Sequence, residues 1–89
     1  MIKFTYQIKD PNGMHARPAG KLATYAKQFC DDIRVQFNEK EADAKRLLAL
    51  MSLGAGADAV LTFTVTGDNE EVTAKQLQEY LNHAYGESK

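Results

Sequence analysis

The sequence is poor in cysteine and in long hydrophobic runs, and each shortage excludes a class of protein. Its single cysteine, Cys30, has no partner for an internal disulfide or a cysteine-based zinc site, and it favours a reducing compartment. No apolar run approaches the length of a membrane span. The N-terminal residues alternate between apolar and polar instead of forming the apolar block of a signal peptide. We therefore expect a cytoplasmic protein that is not inserted in a membrane.

An excess of charge of one sign is also missing. The chain carries 11 basic and 12 acidic residues, a net charge of −1, so neither a nucleic acid nor an anionic membrane surface is an expected partner. The two histidines, His15 and His83, are far apart in the sequence, so no metal site is expected. The 89 residues are 44% hydrophobic, which predicts one globular domain over residues 1–89. We expect no cofactor.

Alternation of apolar and polar residues predicts four strands that each bury one face. The apolar positions are Ile2, Phe4, Tyr6 and Ile8 in the first strand, Ile33, Val35 and Phe37 in the second, and Leu61, Phe63 and Val65 in the last. A tight turn at Asn38-Glu39 leads into a short third strand at residues 40–42. Such strands are typical of an antiparallel sheet that is covered on one side only.

Helical periodicity and capping residues predict three helices between these strands. The first covers residues 16–28, and the second covers residues 44–53 with Asp43 as its N-cap and Gly54 as its end. The third follows Gly67 with a capping box formed by Asp68 and Glu71. Its predicted apolar face comprises Val72, Leu77, Tyr80, Leu81 and Ala84. The order βαββαβα predicts an α+β fold, a four-stranded antiparallel sheet with three helices on one face.

The segment before the first helix carries the clearest chemistry of the chain. Asn12-Gly13 is a turn dipeptide, and Pro18 suits the first position of a helix because its fixed φ matches the helix. His15 then lies at a helix N-terminus, where free backbone N–H groups and the positive end of the helix dipole favour an anion. A phosphoryl group on this imidazole would meet those N–H groups and the Arg17 guanidinium, which predicts a phosphoryl carrier.

Residues 13–19, Gly-Met-His-Ala-Arg-Pro-Ala, resemble the active-site signature of the HPr family, the histidine-containing phosphocarriers of the sugar phosphotransferase system. The resemblance continues through Leu50-Met51-Ser52-Leu53-Gly54 and covers essentially the whole chain. It implies an open-faced β-sandwich and a monomer that needs no cofactor. It also implies that Nδ1 of His15 takes a phosphoryl group from enzyme I, which draws on phosphoenolpyruvate, and passes it to an A-type domain of a sugar-specific enzyme II. The N–H groups of Ala16 and Arg17 would stabilise the phosphoryl group, and the Arg17 side chain would assist its transfer.

The predicted second helix has apolar residues around much of its circumference. Leu47, Leu48 and Met51 fit either a position in the core or an exposed patch that contacts a partner. The resemblance to HPr favours the second interpretation, because the corresponding positions in that family bind enzyme I and the transporter components. Gly20, an unfavourable residue inside a helix, is compatible with close approach of such a partner.

The chain departs from the HPr pattern at Arg46. HPr proteins generally begin their second helix with Lys-Ser, and in Gram-positive bacteria that serine is the target of a regulatory kinase. Here the pair is Lys45-Arg46, so no regulatory serine is present at that position. If Arg46 lies in the first turn of the helix, its positive charge is unfavourable by about 0.3–1 kcal/mol.

Two other functions are compatible with the sequence. A regulatory relative of HPr would use the same surface to bind a transcription factor or a metabolic enzyme, but a pure binding protein needs neither His15 nor Arg17. A small interaction domain with an accidental His-Ala-Arg-Pro segment is the third alternative. An independent enzyme is not expected, since the chain is short and no substrate pocket is evident in the sequence.

Overall fold

The alternating segments pair into one antiparallel sheet, and the helices connect its strands. The computed structural model describes residues 1–82. His83, and Ala84 of the predicted apolar face of the third helix, lie outside the described residues. The elements are β1 (Ile2–Gln7), α1 (Ala16–Ala26), β2 (Asp32–Phe37), β3 (Lys40–Asp43), α2 (Leu47–Ser52), β4 (Val60–Thr66) and α3 (Glu70–Leu81). The strand order is β1-β4-β2-β3, so the order of elements and the antiparallel sheet confirm the predicted fold class.

The two central strands supply the middle of the hydrophobic core. Ile33 and Val35 of β2 and the alternate residues of β4 are fully buried beneath the helices. The rings of Phe4 on β1 and Phe63 on β4 stack with their centroids 5.0 Å apart, which joins the outer strand to the centre. The helices contribute Leu22, Leu50 and Leu77, which are also fully buried. The predicted inward faces of the strands are therefore those that form the core.

The second helix begins at Leu47, three positions later than the sequence predicts. Ala44 donates its N–H to the carbonyl of Ile33, so it is bound to the sheet at 2.9 Å. The Asp43 carboxylate accepts the N–H of Lys45 at 2.9 Å and so closes a turn before the helix instead of capping it. The prediction of Asp43 as N-cap is therefore wrong, and Arg46 is the N-cap residue, outside the first turn. Gly54 has a φ of 69° directly after the helix, as predicted for its end.

The first helix ends at Ala26, two positions earlier than predicted, and Lys27 is its C-cap.

The acidic residue that reaches back at the start of α3 is one position earlier than predicted. The Glu70 carboxylate, instead of that of Glu71, reaches back and accepts the N–H of Gly67 at 3.1 Å. The predicted pair of Asp68 and Glu71 is therefore wrong.

The buried face of α3 also differs from the prediction, because Val72 is exposed and Thr73 is buried. The Thr73 hydroxyl donates a 2.8 Å hydrogen bond to the buried carboxylate of Asp31, which precedes β2. The other oxygen of Asp31 accepts the backbone N–H of Asn69 at the start of the helix. Because a buried carboxylate needs donors, this contact favours the orientation of α3 in which Thr73 and Ala74, together with Leu77 and Leu81, face the core and Val72 faces solvent.

Replacement of Thr73 by valine should therefore destabilise the protein. Valine keeps the volume but removes the hydroxyl donor to the buried Asp31 carboxylate, and we expect the free energy of unfolding to fall by about 1–3 kcal/mol. Urea denaturation followed by circular dichroism measures this change. Thr24→Val, on the exposed face of α1, is the matched control and should change stability by less than about 0.5 kcal/mol. Equal effects of the two substitutions would contradict the assignment of a stabilising contact.

Candidate functional site

His15 is the N-cap residue of α1, with the extended backbone angles that this position requires, φ −88° and ψ −171°. Its carbonyl accepts the first hydrogen bond of the helix, from the N–H of Ala19 at 3.0 Å. The N–H groups of Ala16 and Arg17 therefore have no carbonyl partner within the helix. Pro18 is the third residue of the helix instead of the predicted first, and proline is tolerated there because that N–H would also lack a partner.

The loop before His15 is held against the loop that follows α2. Met14 donates its N–H to the carbonyl of Ala55 at 2.9 Å, and its side chain is buried. Gly13 has a φ of 72°, and a Cβ at this position would lie 2.5 Å from the Ala55 oxygen. Only glycine fits this close approach of two backbones. His15 is therefore presented from a loop whose conformation is determined by packing.

An acidic residue that the sequence pattern does not single out, Asp10, lies beside the histidine. The Asp10 Oδ2 atom is 3.4 Å from Nε2 of His15, and the two side chains are 32% and 38% exposed. The Asn12 N–H, followed by the His15 ring and the Arg17 guanidinium, holds the pKa of the Asp10 carboxyl below its usual range. The carboxyl is therefore ionised at neutral pH. The signal in the sequence was a turn dipeptide two positions after Asp10, which brings the chain back towards residue 15.

Arg17 lies in the first turn of α1, and its side chain is exposed. In the described part of the chain no carboxylate lies within 4.0 Å of its guanidinium, in contrast to Arg34, which pairs with Asp32 at 3.2 Å. With respect to residues 1–82, the guanidinium is therefore available to bind an anion brought to the helix N-terminus. Its five donors form a planar fork that can give two hydrogen bonds to phosphate oxygens.

The apolar residues of α2 divide between the core and the surface. Leu50 is fully buried, Leu48 is 74% exposed, and Leu47 and Met51 are each partly exposed. A Cβ at Gly20 of α1 would lie 4.0 Å from Cδ1 of Leu47, so the two helices meet at this point. We call Gly20, Leu47, Leu48 and Met51 the α2 patch. Because Arg17 and Gly20 are three residues apart on α1, the patch continues from the side of the helix that carries Arg17.

Nothing in the packing of residues 1–82 requires glycine at position 20, since an added methyl group would make only an ordinary contact with Leu47 there. Arg46 is exposed at the N-cap of α2, directly before Leu47, the first residue of the patch on this helix. Lys45 is engaged elsewhere, because its ammonium donates to the carbonyl of Phe29 at 2.7 Å. The Ser52 hydroxyl donates within its own helix to the carbonyl of Leu48 at 2.8 Å.

Residues 1–82 contain no group of three or more metal-ligating side chains close enough to hold an ion. Over the same residues, no helix has the length and apolar character that crossing a bilayer requires. The groups that the described residues bring together at the site are an imidazole, a guanidinium, a carboxylate and two backbone N–H groups. These groups suit phosphoryl transfer, which asks a protein mainly for positioning and for charge stabilisation.

A four-stranded antiparallel sheet with helices on one face, and a histidine at the N-terminus of the first helix, defines a class of open-faced sandwich that can carry a group on an imidazole. The family model described as "PTS HPr component phosphorylation site" matches residues 2–83. The chain belongs to the HPr family, the phosphocarrier proteins of the phosphotransferase system.

Individual relatives agree with this assignment. The chain is 36% identical over 81 residues to the phosphocarrier protein HPr of Buchnera aphidicola subsp. Baizongia pistaciae (strain Bp), covering 91% of this chain and 95% of that protein. The crystal structure of HPr-C-His from Thermoanaerobacter tengcongensis superposes with a TM-score of 0.89 at 34% identity, with 100% of both chains covered. HPr from Bacillus anthracis str. Ames gives a TM-score of 0.80 at 30% identity, covering 89% of this chain and 94% of that one.

Proposed function

We propose that His15 carries the phosphoryl group, that enzyme I of the phosphotransferase system supplies it, and that an A-type domain of a sugar-specific enzyme II receives it. The observation that carries this proposal is the position of His15 as the N-cap of α1, with the N–H groups of Ala16 and Arg17 left without helical partners. We also propose that the protein acts in the cytoplasm as a monomer.

The groups around His15 have distinct tasks in this transfer. A neutral imidazole is the nucleophile, because a ring nitrogen needs its lone pair to attack phosphorus. As the phosphoryl group moves to the ring, its oxygens approach the N–H groups of Ala16 and Arg17. The exposed Arg17 side chain adds charge-assisted hydrogen bonds that strengthen as negative charge develops in the transition state.

The direct test is incubation of the purified protein with phosphoenolpyruvate and enzyme I, followed by measurement of its intact mass. We expect the addition of one phosphoryl group, which requires both components. Addition of purified enzyme II A-type domain should then return the mass to that of the unmodified protein. A protein that gains no mass with active enzyme I would contradict the proposal and would favour the regulatory alternative.

The α2 patch is proposed as the surface that docks on both partners. Leu48 is the sharpest site for a test, because 74% of it is exposed and its replacement leaves the core intact. Leu48→Glu should raise the KM for enzyme I roughly tenfold, since a charge then enters an apolar contact, and it should hardly change the thermal midpoint. Steady-state transfer kinetics and thermal denaturation measure the two effects.

Val72→Glu provides the matched control for this test. Val72 is 56% exposed on α3, so the same charge is introduced on an exposed apolar residue of a helix outside the patch. This variant should keep the KM of the unaltered protein. If Leu48→Glu transfers normally, or if both variants are impaired alike, the α2 patch is not the docking surface.

Arg46 gives the proposed carrier a positive charge at the N-cap of α2, where the HPr pattern has a serine. Arginine has no hydroxyl to phosphorylate, so we propose that control by a serine kinase is absent at this position. The charge stands beside the α2 patch, where it would attract a negatively charged phosphorylated partner at low ionic strength.

A further inference from the structure

The carboxylate of Asp10 is fixed by the turn that precedes the helix. Its Oδ1 atom accepts the N–H of Asn12 at 2.8 Å, and its carbonyl accepts the N–H of Gly13 at 2.9 Å. With Oδ1 engaged in the turn, Oδ2 faces the His15 ring and lies 3.4 Å from Nε2. The turn itself needs only one side-chain oxygen, which asparagine or serine would also supply. The second oxygen is what distinguishes aspartate here.

The chemistry of this contact determines which ring nitrogen carries the proton. An ionised carboxylate only accepts hydrogen bonds, and neutral imidazole has one nitrogen that donates and one that accepts. If Nε2 carried the lone pair, it would face the negative oxygen of Asp10, which is unfavourable. The contact therefore favours the tautomer with the proton on Nε2. The lone pair is then on Nδ1, at the opposite edge of the ring.

We propose that Asp10 is a positioning residue that selects the Nε2–H tautomer of His15 and so leaves Nδ1 as the nucleophile. This inference rests on the proposed function of His15 and deepens it, because it names the group that prepares the ring for transfer. Asp10 acts through the histidine and does not contact the phosphoryl group. In a serine protease, a buried aspartate orients the histidine in the same way, because it accepts the N–H of one ring nitrogen and so fixes the tautomer.

The proposed transfer step requires no proton relay. The Nδ1 lone pair forms the new bond to phosphorus while the bond between phosphorus and the leaving atom of phosphorylated enzyme I breaks, and that atom keeps the electron pair. The proton on Nε2 stays in place throughout. As Nδ1 gives up its lone pair, the ring gains positive charge, and the Nε2–H···Oδ2 hydrogen bond to Asp10 becomes stronger.

The tautomer can be measured on the free protein. Two-bond ¹H–¹⁵N correlation spectra of the His15 ring distinguish Nε2–H from Nδ1–H at a pH where the ring is neutral. We expect Nε2–H to predominate in the unaltered protein. Asp10→Asn keeps the oxygen that closes the turn but removes the charge. It should lower the ratio of the Nε2–H tautomer to the Nδ1–H tautomer roughly threefold to fivefold, as expected for a partly exposed pair. Asp10→Ser, which also retains a turn acceptor, should act in the same direction.

Asp58→Asn is the matched control, because Asp58 is an exposed carboxylate in the loop beside the site. It should leave both the tautomer ratio and transfer unchanged. In the phosphoenolpyruvate assay, Asp10→Asn should lower kcat for phosphoryl uptake roughly threefold to fivefold with an unchanged KM for enzyme I, because the variant loses both part of the reactive tautomer and the Nε2–H···Oδ2 hydrogen bond that strengthens during transfer. An unchanged tautomer ratio or an unchanged kcat overturns the assignment of Asp10, and so does an equal effect of Asp58→Asn. If the unaltered protein accepts no phosphoryl group, the proposed function fails while the tautomer ratio still decides whether Asp10 orients the ring.

Discussion

Replacement of His15 by alanine is expected to abolish phosphoryl uptake in the presence of phosphoenolpyruvate and enzyme I. The described residues 1–82 contain one imidazole, and it lies where the N–H groups of Ala16 and Arg17 can receive the transferred group. Methyl in place of imidazole leaves no nucleophile at this helix N-terminus. Intact-mass measurement of the two proteins under identical conditions gives the result directly.

The same substitution should hardly change the fold. The His15 side chain is partly exposed and makes no capping hydrogen bond to the helix, so alanine should cost less than about 1 kcal/mol in the free energy of unfolding. The phosphorylated parent protein should lose its group in acid and keep it in alkali, since the proposed bond is a phosphoramidate. Full labelling of His15→Ala, or an acid-stable modification of the parent, would place the phosphoryl group on another residue.

Replacement of Arg17 by alanine should slow phosphoryl transfer roughly tenfold to a hundredfold, which is large for a substitution of an exposed side chain. In the proposed mechanism the guanidinium offsets charge that develops on the phosphoryl oxygens, so the loss should appear in kcat and should exceed any loss of stability. Arg17→Lys should recover part of the rate, because it restores the charge without the planar fork. Rapid-quench measurement of transfer from phosphorylated enzyme I separates this step from docking.

Lys75→Ala is a suitable control for the loss of one positive charge. Lys75 is exposed on α3, so its removal changes the net charge by the same amount without altering the helix N-terminus that carries His15. Transfer by this variant should stay close to the parent rate. A normal rate for Arg17→Ala would leave the backbone N–H groups as the only stabilising groups at the site.

Local sequence patterns were sufficient for the elements and for the placement of the histidine. Strand residues alternate because one face of the sheet is buried, and this period is visible without a structure. The position of His15 before a helix followed from a turn dipeptide and a proline. The exact helical position of Pro18 did not follow, because proline is tolerated at several positions of the first turn.

Two of the errors involve a contact between residues that are distant in sequence. Residues 44–46 have helical character, yet the N–H of Ala44 is bound by the carbonyl of Ile33 and the helix begins later. Val72 is apolar, yet it is exposed, whereas Thr73 is buried and bonded to Asp31, a residue far away in the sequence. Hydrogen bonds to the sheet and to a buried carboxylate outweigh the small differences in helix propensity between these residues.

The sequence by itself determined the class of fold, the family and the candidate nucleophile, because these depend on periodicity and on a short segment whose residues are adjacent in the chain. The tertiary structure decided which leucines of α2 are exposed and which carboxylate meets the histidine. Both depend on how elements pack: Leu50 is buried and Leu48 exposed because one side of α2 faces the core, a distinction that its apolar residues do not encode. Asp10 reaches His15 only because the turn between them is held by its own hydrogen bonds and by Ala55, a residue from a different part of the chain.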